Sequence, residues 1–126
     1  MIKLLLVDDE KGIADALKDF FEHRGFFAMT AGSGEDALEL IRKDKPNIVF
    51  LDVAMKGMGG LETLKWIKKI DKSIRVIMLS GRSEQDVVER AKELGADEYI
   101  TKPFRIDCLD QVIIKTVREL LQETSG

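Results

Sequence analysis

Five polar residues stand at, or just past, the ends of short apolar runs. Asp8 and Asp9 follow Leu4 to Val7, Asp52 follows Ile48 to Leu51, Ser80 follows Val76 to Leu79, and Lys102, with Pro103 behind it, comes just past Tyr99 and Ile100. Carboxylates crowded together repel one another and shift toward their protonated forms unless a cation neutralises them. A hard divalent ion meets that need, because Mg²⁺ is typically held by one or two carboxylates, several waters and a phosphate oxygen. Asp8, Asp9 and Asp52, with a backbone carbonyl near Ala54, offer such a set. A phosphoryl group in transfer carries charge that cations and aligned donors must offset, so a nucleophilic carboxylate works best with a metal on one side and an ammonium on the other. In that arrangement Asp52 is the nucleophile, Lys102 the ammonium, and Ser80 a hydroxyl able to donate to a phosphoryl oxygen. Taken singly, each has a plainer use: Asp8, Asp9 and Glu10 suit the positive end of a following helix, Ser80 closes a strand, and Lys102 is a surface lysine. Only convergence at one edge turns the set toward chemistry.

That convergence depends on the elements that carry the five groups. Short apolar runs alternate with longer segments of helical period: Leu4 to Val7, then Ile13 to Phe21; Phe26 to Ala31, then Ala37 to Ile41; Ile48 to Leu51, then Leu61 to Ile70; Val76 to Leu79, then Val87 to Leu94; Tyr99 and Ile100, then Ile106 to Leu121. The pattern predicts an α/β fold of five strand–helix units. Ser33 with Asp36 and Ser83 with Asp86 resemble capping boxes at the second and fourth helix starts, and Gly25 and Gly95 sit where helix C-caps are expected. Strands buried on both faces read as continuous apolar runs, as the first, third and fourth do, whereas the second contains Thr30 and small alanines and the fifth is very short. The central strands are therefore 1, 3 and 4. With right-handed crossovers this favours a doubly wound, flavodoxin-like parallel sheet of order 2-1-3-4-5, whose ligands bind outside the carboxyl ends of the strands. All five polar groups fall at that edge.

A chain of 126 residues suits one domain spanning 1–126, with the last helix ending near 122 and residues 123–126 as a frayed tail. No apolar run approaches the ~20 residues that cross a bilayer, and the acids at 8–10 interrupt any signal-peptide pattern, so a cytoplasmic location is expected and no membrane partner. The net charge of −3, with both signs interspersed, leaves no basic patch for a nucleic acid. Cys108, the single cysteine, rules out an internal disulfide and reads as a helix-face residue. His23 reads as a solvated helix residue, and Trp66, Phe20 and Phe21 as helix-face packing. Asp8-Asp9-Glu10-Lys11 does not supply the Ser/Thr/Gly-rich cradle that a flavin phosphate would need. In the last helix Ile106, Leu109, Ile113, Val117 and Leu120 form a stripe expected to face the sheet. Ile114 and Leu121 widen that arc beyond one buried face, which favours coverage by a partner.

Four segments carry a resemblance over essentially the whole chain: Leu-Leu-Leu-Val-Asp-Asp-Glu at 4–10, Val-Phe-Leu-Asp-Val-Ala-Met at 49–55, Met-Leu-Ser-Gly at 78–81, and Ala-Asp-Glu-Tyr-Ile-Thr-Lys-Pro-Phe at 96–104. Together they resemble the receiver domain of bacterial two-component response regulators. The resemblance implies that Asp8 and Asp9 are the acidic pair for Mg²⁺, Asp52 the phospho-accepting aspartate, and Ser80 and Tyr99 the switch residues. It also implies that Lys102 precedes a cis Pro103. The phosphoryl donor would be a phosphohistidine on a sensor histidine kinase or a phosphotransfer protein, as in a phosphorelay. The domain would catalyse only its own phosphorylation and slow dephosphorylation. Its output surface would be the face of helix 4, strand 5 and helix 5, open to a homodimer or another partner. Residues two past Asp52 and two past Ser80, here Ala54 and Arg82, would govern the lifetime of the phosphoryl group. The family commonly writes Met-Pro-Gly-Met-Asp-Gly where this chain has Met55-Lys56-Gly57-Met58-Gly59-Gly60, a change expected to loosen the loop. Two other readings stand beside this one: a degenerate receiver acting as a constitutive interaction module, and a phosphatase of the haloacid dehalogenase type. The latter resembles Asp-x-Asp motifs, and the second acid's place is here Ala54.

Overall fold

The apolar runs become strands, as their buried alternation requires. A computed structural model describes residues 2–81 and 85–125, with side chains as far as residue 122. Its order is β1 (Lys3–Val7), α1 (Lys11–Glu22), β2 (Phe27–Ala31), α2 (Gly34–Lys43), β3 (Ile48–Asp52), α3 (Gly60–Ile70), β4 (Arg75–Ser80), α4 (Gln85–Glu93), β5 (Glu98–Thr101) and α5 (Ile106–Ser125). All strand pairs are parallel and the sheet runs β2-β1-β3-β4-β5, as the run lengths predict. Every residue of β3 is buried, while the edge strands β2 and β5 are only partly so.

Side chains two apart along a strand point to the same face, and this divides the core in two. Leu5, Val7, Val49, Leu51, Val76 and Met78 pack with Leu38 and Ile41 of α2, Leu64 and Ile67 of α3, and Ala91 of α4. Leu4, Leu6, Ile48, Phe50, Ile77 and Leu79 pack on the opposite face with Leu17 and Phe21 of α1 and Leu109 and Ile113 of α5. Phe21 stacks on Phe50 at 4.9 Å and meets Phe20 edge-on at 5.0 Å, as aromatic quadrupoles favour. Arg24 lies 3.6 Å over the Phe20 ring and its Nε donates to Asp110 at 2.7 Å, tying α1 to α5.

Helix ends follow local chemistry. Ser33 Oγ accepts from the Asp36 N–H at 3.1 Å and caps α2. Gly25 and Gly95 hold φ of 88° and 104° just past α1 and α4, the left-handed turn that glycine adopts without steric cost. Ser83 lies outside the described residues, so its capping role does too. His23 is exposed at the end of α1, its Nδ1 2.8 Å from the Asp19 carbonyl oxygen, and Cys108 is exposed on α5. Among the described residues no helix is long and apolar enough to cross a membrane.

Three expectations are corrected. Ile106, placed in the sheet-facing stripe, is 62% exposed, because the first residue of α5 lies beyond the sheet that buries Leu109 and Ile113. Trp66 is 38% exposed rather than packed inward: the buried arc of α3 is Gly60, Thr63, Leu64 and Ile67, and the indole stands outside it, with Lys69 Nζ 4.9 Å from its ring. Finally, α5 continues to Ser125 instead of ending near 122, because no glycine or proline interrupts it before Gly126.

Candidate functional site at the carboxyl edge of the sheet

Parallel strands that start in register deliver their last residues to one edge, and that edge gathers the polar groups. Asp8 directly follows β1, held by its N–H to the Ala31 carbonyl at 3.1 Å. Its Oδ1 accepts the Glu10 N–H at 2.9 Å, in the turn that opens α1. Asp52 ends β3, and its Oδ1 accepts the Ala54 N–H at 3.3 Å. Ser80 ends β4, fully buried and in register with Thr101 of β5. Lys102 follows β5, its N–H donating to the Ser80 carbonyl at 2.6 Å, and the peptide bond to Pro103 is cis.

Lys102 reaches back across the edge. Its ammonium donates to Asp8 Oδ2 at 3.1 Å and lies 3.6 Å from Asp52 Oδ2. One carboxylate oxygen from each of Asp8, Asp9 and Asp52 lies within 4.8 Å of the other two. Asp8 and Asp52 are buried and Asp9 is exposed. Asp8 and Asp52 thus share one ammonium, with Asp9 beside them. Burial pushes the Asp52 carboxyl above its usual 3.8, Lys102 opposes that shift, and the Asp8 charge adds to it. An oxygen-only donor set with excess negative charge, two of its three members buried, fits a hard divalent cation.

Tyr99 is half-buried on β5, opposite Met78, and packs against the core on the side of α2, α3 and α4. By the two-residue repeat of a strand, Met78 and Ser80 share one face. Ser80 and Tyr99 therefore lie on one face of the sheet, diagonally across the β4–β5 pair. Ala54 is exposed beside Asp52, while Arg82, its expected counterpart in setting phosphoryl lifetime, lies outside the described residues.

Sequence reasoning missed how the segment after Asp52 is fastened. Gly60 opens α3 with its N–H on the Val53 carbonyl at 3.0 Å, and a Cβ there would stand 2.2 Å from the Asp52 carbonyl oxygen and 2.7 Å from Val53 Cα. The start of α3 therefore lies directly against the backbone of Asp52. The signal was a glycine at a helix start, which composition alone does not separate from an ordinary turn. Buried Thr63 donates its hydroxyl to the Gly59 carbonyl at 2.8 Å, and it fills the space that a side chain at Gly34 would need. Lys56 supplies a further tether, its main-chain N–H donating to Asp9 Oδ2 at 3.2 Å. The segment expected to be loose is thus held at several points.

The family model described as response regulator receiver domain matches residues 4–114. Sporulation initiation phosphotransferase F of Bacillus subtilis is 40% identical over 113 residues, which cover 90% of this chain and 91% of that protein. The transcriptional regulatory protein AfsQ1 of Streptomyces coelicolor is 34% identical over 125 residues, 99% of this chain but 55% of its own length. Among solved structures, a receiver domain protein from Methanospirillum hungatei superposes with a TM-score of 0.90 at 28% identity, covering 100% of this chain and 99% of the other. A response regulator from Thermotoga maritima in complex with Mg²⁺ and BeF superposes with a TM-score of 0.84 at 34% identity, over 92% of this chain and 99% of that one.

Proposed function

We propose, from the premise that this chain belongs to the response regulator receiver domain family, that it is switched by a phosphoryl group carried on Asp52. A carboxylate oxygen of Asp52 attacks the phosphorus of a phosphohistidine, and an acyl phosphate forms as the P–N bond breaks. The bonding pair stays with the imidazole nitrogen, which leaves as neutral histidine once its proton balance with solvent is restored. Asp8, Asp9 and Asp52, with the Ala54 carbonyl, would hold Mg²⁺, which when bound offsets the charge on the transferring oxygens. Lys102 offers its ammonium to the same oxygens and Ser80 its hydroxyl. The observation that carries this reading is the cluster of three carboxylate oxygens within 4.8 Å at the carboxyl edge, with Lys102 3.1 Å from Asp8 and 3.6 Å from Asp52. The Mg²⁺ and BeF bound by the Thermotoga maritima relative support it. The donor class is a sensor histidine kinase or a phosphotransfer protein, and the setting is the cytoplasm.

Acetyl phosphate tests the reading directly. With Mg²⁺ the protein should acquire a stable label on Asp52, and without Mg²⁺ almost none. Rapid turnover without accumulated label would point to a phosphatase, and no label under either condition to a constitutive interaction module.

The resemblance puts control of the label's lifetime two residues past Asp52 and two past Ser80. Neither Ala54 nor Arg82 carries an amide or carboxylate to position an attacking water, so dephosphorylation should be slow. Ala54→Asn combined with Arg82→Glu should shorten the lifetime by about tenfold, and an unchanged decay rate would remove these positions from that role.

The signal leaves through α4, β5 and α5. A phosphoryl group that draws Ser80 toward it changes the space next to Tyr99, and the ring repacks as a two-state element. Beside that ring lies a cavity of about 260 Å³ lined by Val88, Ala91, Lys92, Ala96 and Tyr99, among others. On α5, which follows β5, Ile114 and Leu121 are 50% and 58% exposed, one heptad apart. Phosphorylation should therefore strengthen homodimerisation or partner binding through this face. Ile114→Glu with Leu121→Glu should leave labelling intact and weaken that association at least about tenfold, as read by sedimentation with and without beryllofluoride. Association that survived both charges would move the output surface elsewhere.

A further inference from the structure

Asp9 differs from the other two acids of the cluster. Asp8 and Asp52 are buried at strand ends, whereas Asp9 is exposed to water. Lys102 is paired with Asp8 and Asp52, so repulsion from their carboxylates favours turning Asp9 outward. Yet an Asp9 oxygen stays within 4.8 Å of both partners. The hydrogen bond that opposes the repulsion comes from the main chain: the Lys56 N–H donates to Asp9 Oδ2 at 3.2 Å, across 47 positions of sequence.

We propose that the Lys56 main-chain amide is a positioning donor for the cation site, holding Asp9 toward Asp8 and Asp52 and making residues 55–60 part of the cation's outer shell. The inference rests on the cation reading of the acidic cluster given above. A carboxylate has about four lone-pair directions, so one N–H on Oδ2 leaves others for a metal. A donor fixed in the backbone has no side-chain rotamers to lose, and partners in a cation's outer shell commonly govern affinity. The segment that carries the amide is anchored at its far end by the Gly60 N–H on the Val53 carbonyl. Between these anchors Gly57 turns at a φ of 74°, a conformation suited to glycine. A proline at position 56, the residue commonly found there in the chains this one resembles, has no N–H and could not make the bond. By linkage the effect runs both ways: whatever holds residues 55–60 in place tightens the cation site, and a bound cation firms the segment.

Mg²⁺ titration followed by backbone amide shifts tests the proposal with two variants at one position. Lys56→Ala keeps the N–H and should retain Mg²⁺ affinity to within about threefold, whereas Lys56→Pro removes the N–H and should weaken it at least about tenfold. A folded Lys56→Pro protein with wild-type affinity would overturn the proposal, and so would Lys56→Ala losing as much as Lys56→Pro. A second measurement needs neither variant. In metal-free protein Asp9→Ala should shift the Lys56 amide proton upfield and speed its exchange with solvent at least about tenfold, because the acceptor is gone. An unmoved Lys56 amide would overturn the proposal even if Lys56→Pro failed to fold. Wild-type protein that took up no Mg²⁺ would overturn the cation reading and this inference with it, whereas uptake indifferent to Lys56→Pro overturns the inference alone.

Discussion

Asp52→Asn should take up no phosphoryl label from acetyl phosphate and should nevertheless melt at a higher temperature than the wild-type protein near neutral pH. The first half follows from chemistry. An amide nitrogen or oxygen is a poor nucleophile toward phosphorus beside a carboxylate, so label should fall to background, at least about a hundredfold below wild type. Asp52→Ala should behave alike. Label persisting on the Asn variant at a comparable level would mean that another residue accepts the group.

The second half follows from burial. Asp52 sits 6% exposed, and desolvation outweighs Lys102 in pushing its carboxyl above 3.8. A group whose folded pKa is raised favours the fold when protonated. Its stabilisation is fully present below about 3.8 and is lost as pH rises through the raised folded value. At neutral pH the ionised carboxylate is therefore a burden on the metal-free protein, and asparagine of similar size removes it. The substitution leaves Asp8, the other partner of Lys102 at 3.1 Å, in place. The melting advantage should be clear at pH 7 without Mg²⁺, shrink when saturating Mg²⁺ stabilises the wild type, and vanish in acid below the unfolded pKa. A variant less stable than wild type at neutral pH would show that the Lys102 attraction outweighs desolvation.

Gly60→Ala should be among the most damaging single-methyl changes in the chain. The added carbon would meet the Asp52 carbonyl oxygen at 2.2 Å and Val53 Cα at 2.7 Å, and these are backbone atoms that no side-chain rotation can clear. Overpacking of this kind typically costs about 1–3 kcal/mol, and the backbone partner sets the upper end or beyond. A loss of about 3 kcal/mol lowers the melting temperature of a domain this size by about 10 °C. Phosphorylation should slow as well, since the backbone pushed aside carries the nucleophile. Gly12→Ala is the control of opposite sign. Gly12 lies in α1 with nothing within 4 Å of a Cβ, so alanine there should stabilise by about 0.5–1 kcal/mol. Gly34→Ala should also destabilise, because its Cβ would stand 2.2 Å from the Thr63 hydroxyl, which is buried and bonded to the Gly59 carbonyl. Equal melting temperatures for Gly60→Ala and wild type would mean that the α3 start can move away from Asp52.

Much of this architecture was legible in the chain because its determinants are local or periodic. Continuous apolar runs identified β1, β3 and β4 as central, and the sheet order followed from them. Parallel strands end at a common edge, so Asp8, Asp9, Asp52, Ser80 and Lys102 could be assigned to one place from position alone. Ser33 and Gly25 mark helix ends through chemistry that acts within a turn.

What only the tertiary structure decided are matters of contact between distant segments. The ring of Trp66 and the side chain of Ile106 carry the same hydrophobic signal as their buried neighbours, and their exposure depends on where the sheet and adjacent helices stop. The grip of Lys102 on Asp8 spans 94 positions and the Lys56 amide reaches Asp9 across 47. A main-chain N–H is present at nearly every residue and leaves no mark in composition or spacing, so its selection as a partner for Asp9 emerges only when two loops are brought together. The same holds for Gly60, whose missing side chain matters because the backbone of Asp52 lies where a Cβ would be. Local propensity and pattern determined which residues arrive at the carboxyl edge. Packing across the chain decided how they are held there, since distances of 2–4 Å between remote segments are fixed by the whole core and by no stretch of sequence within it.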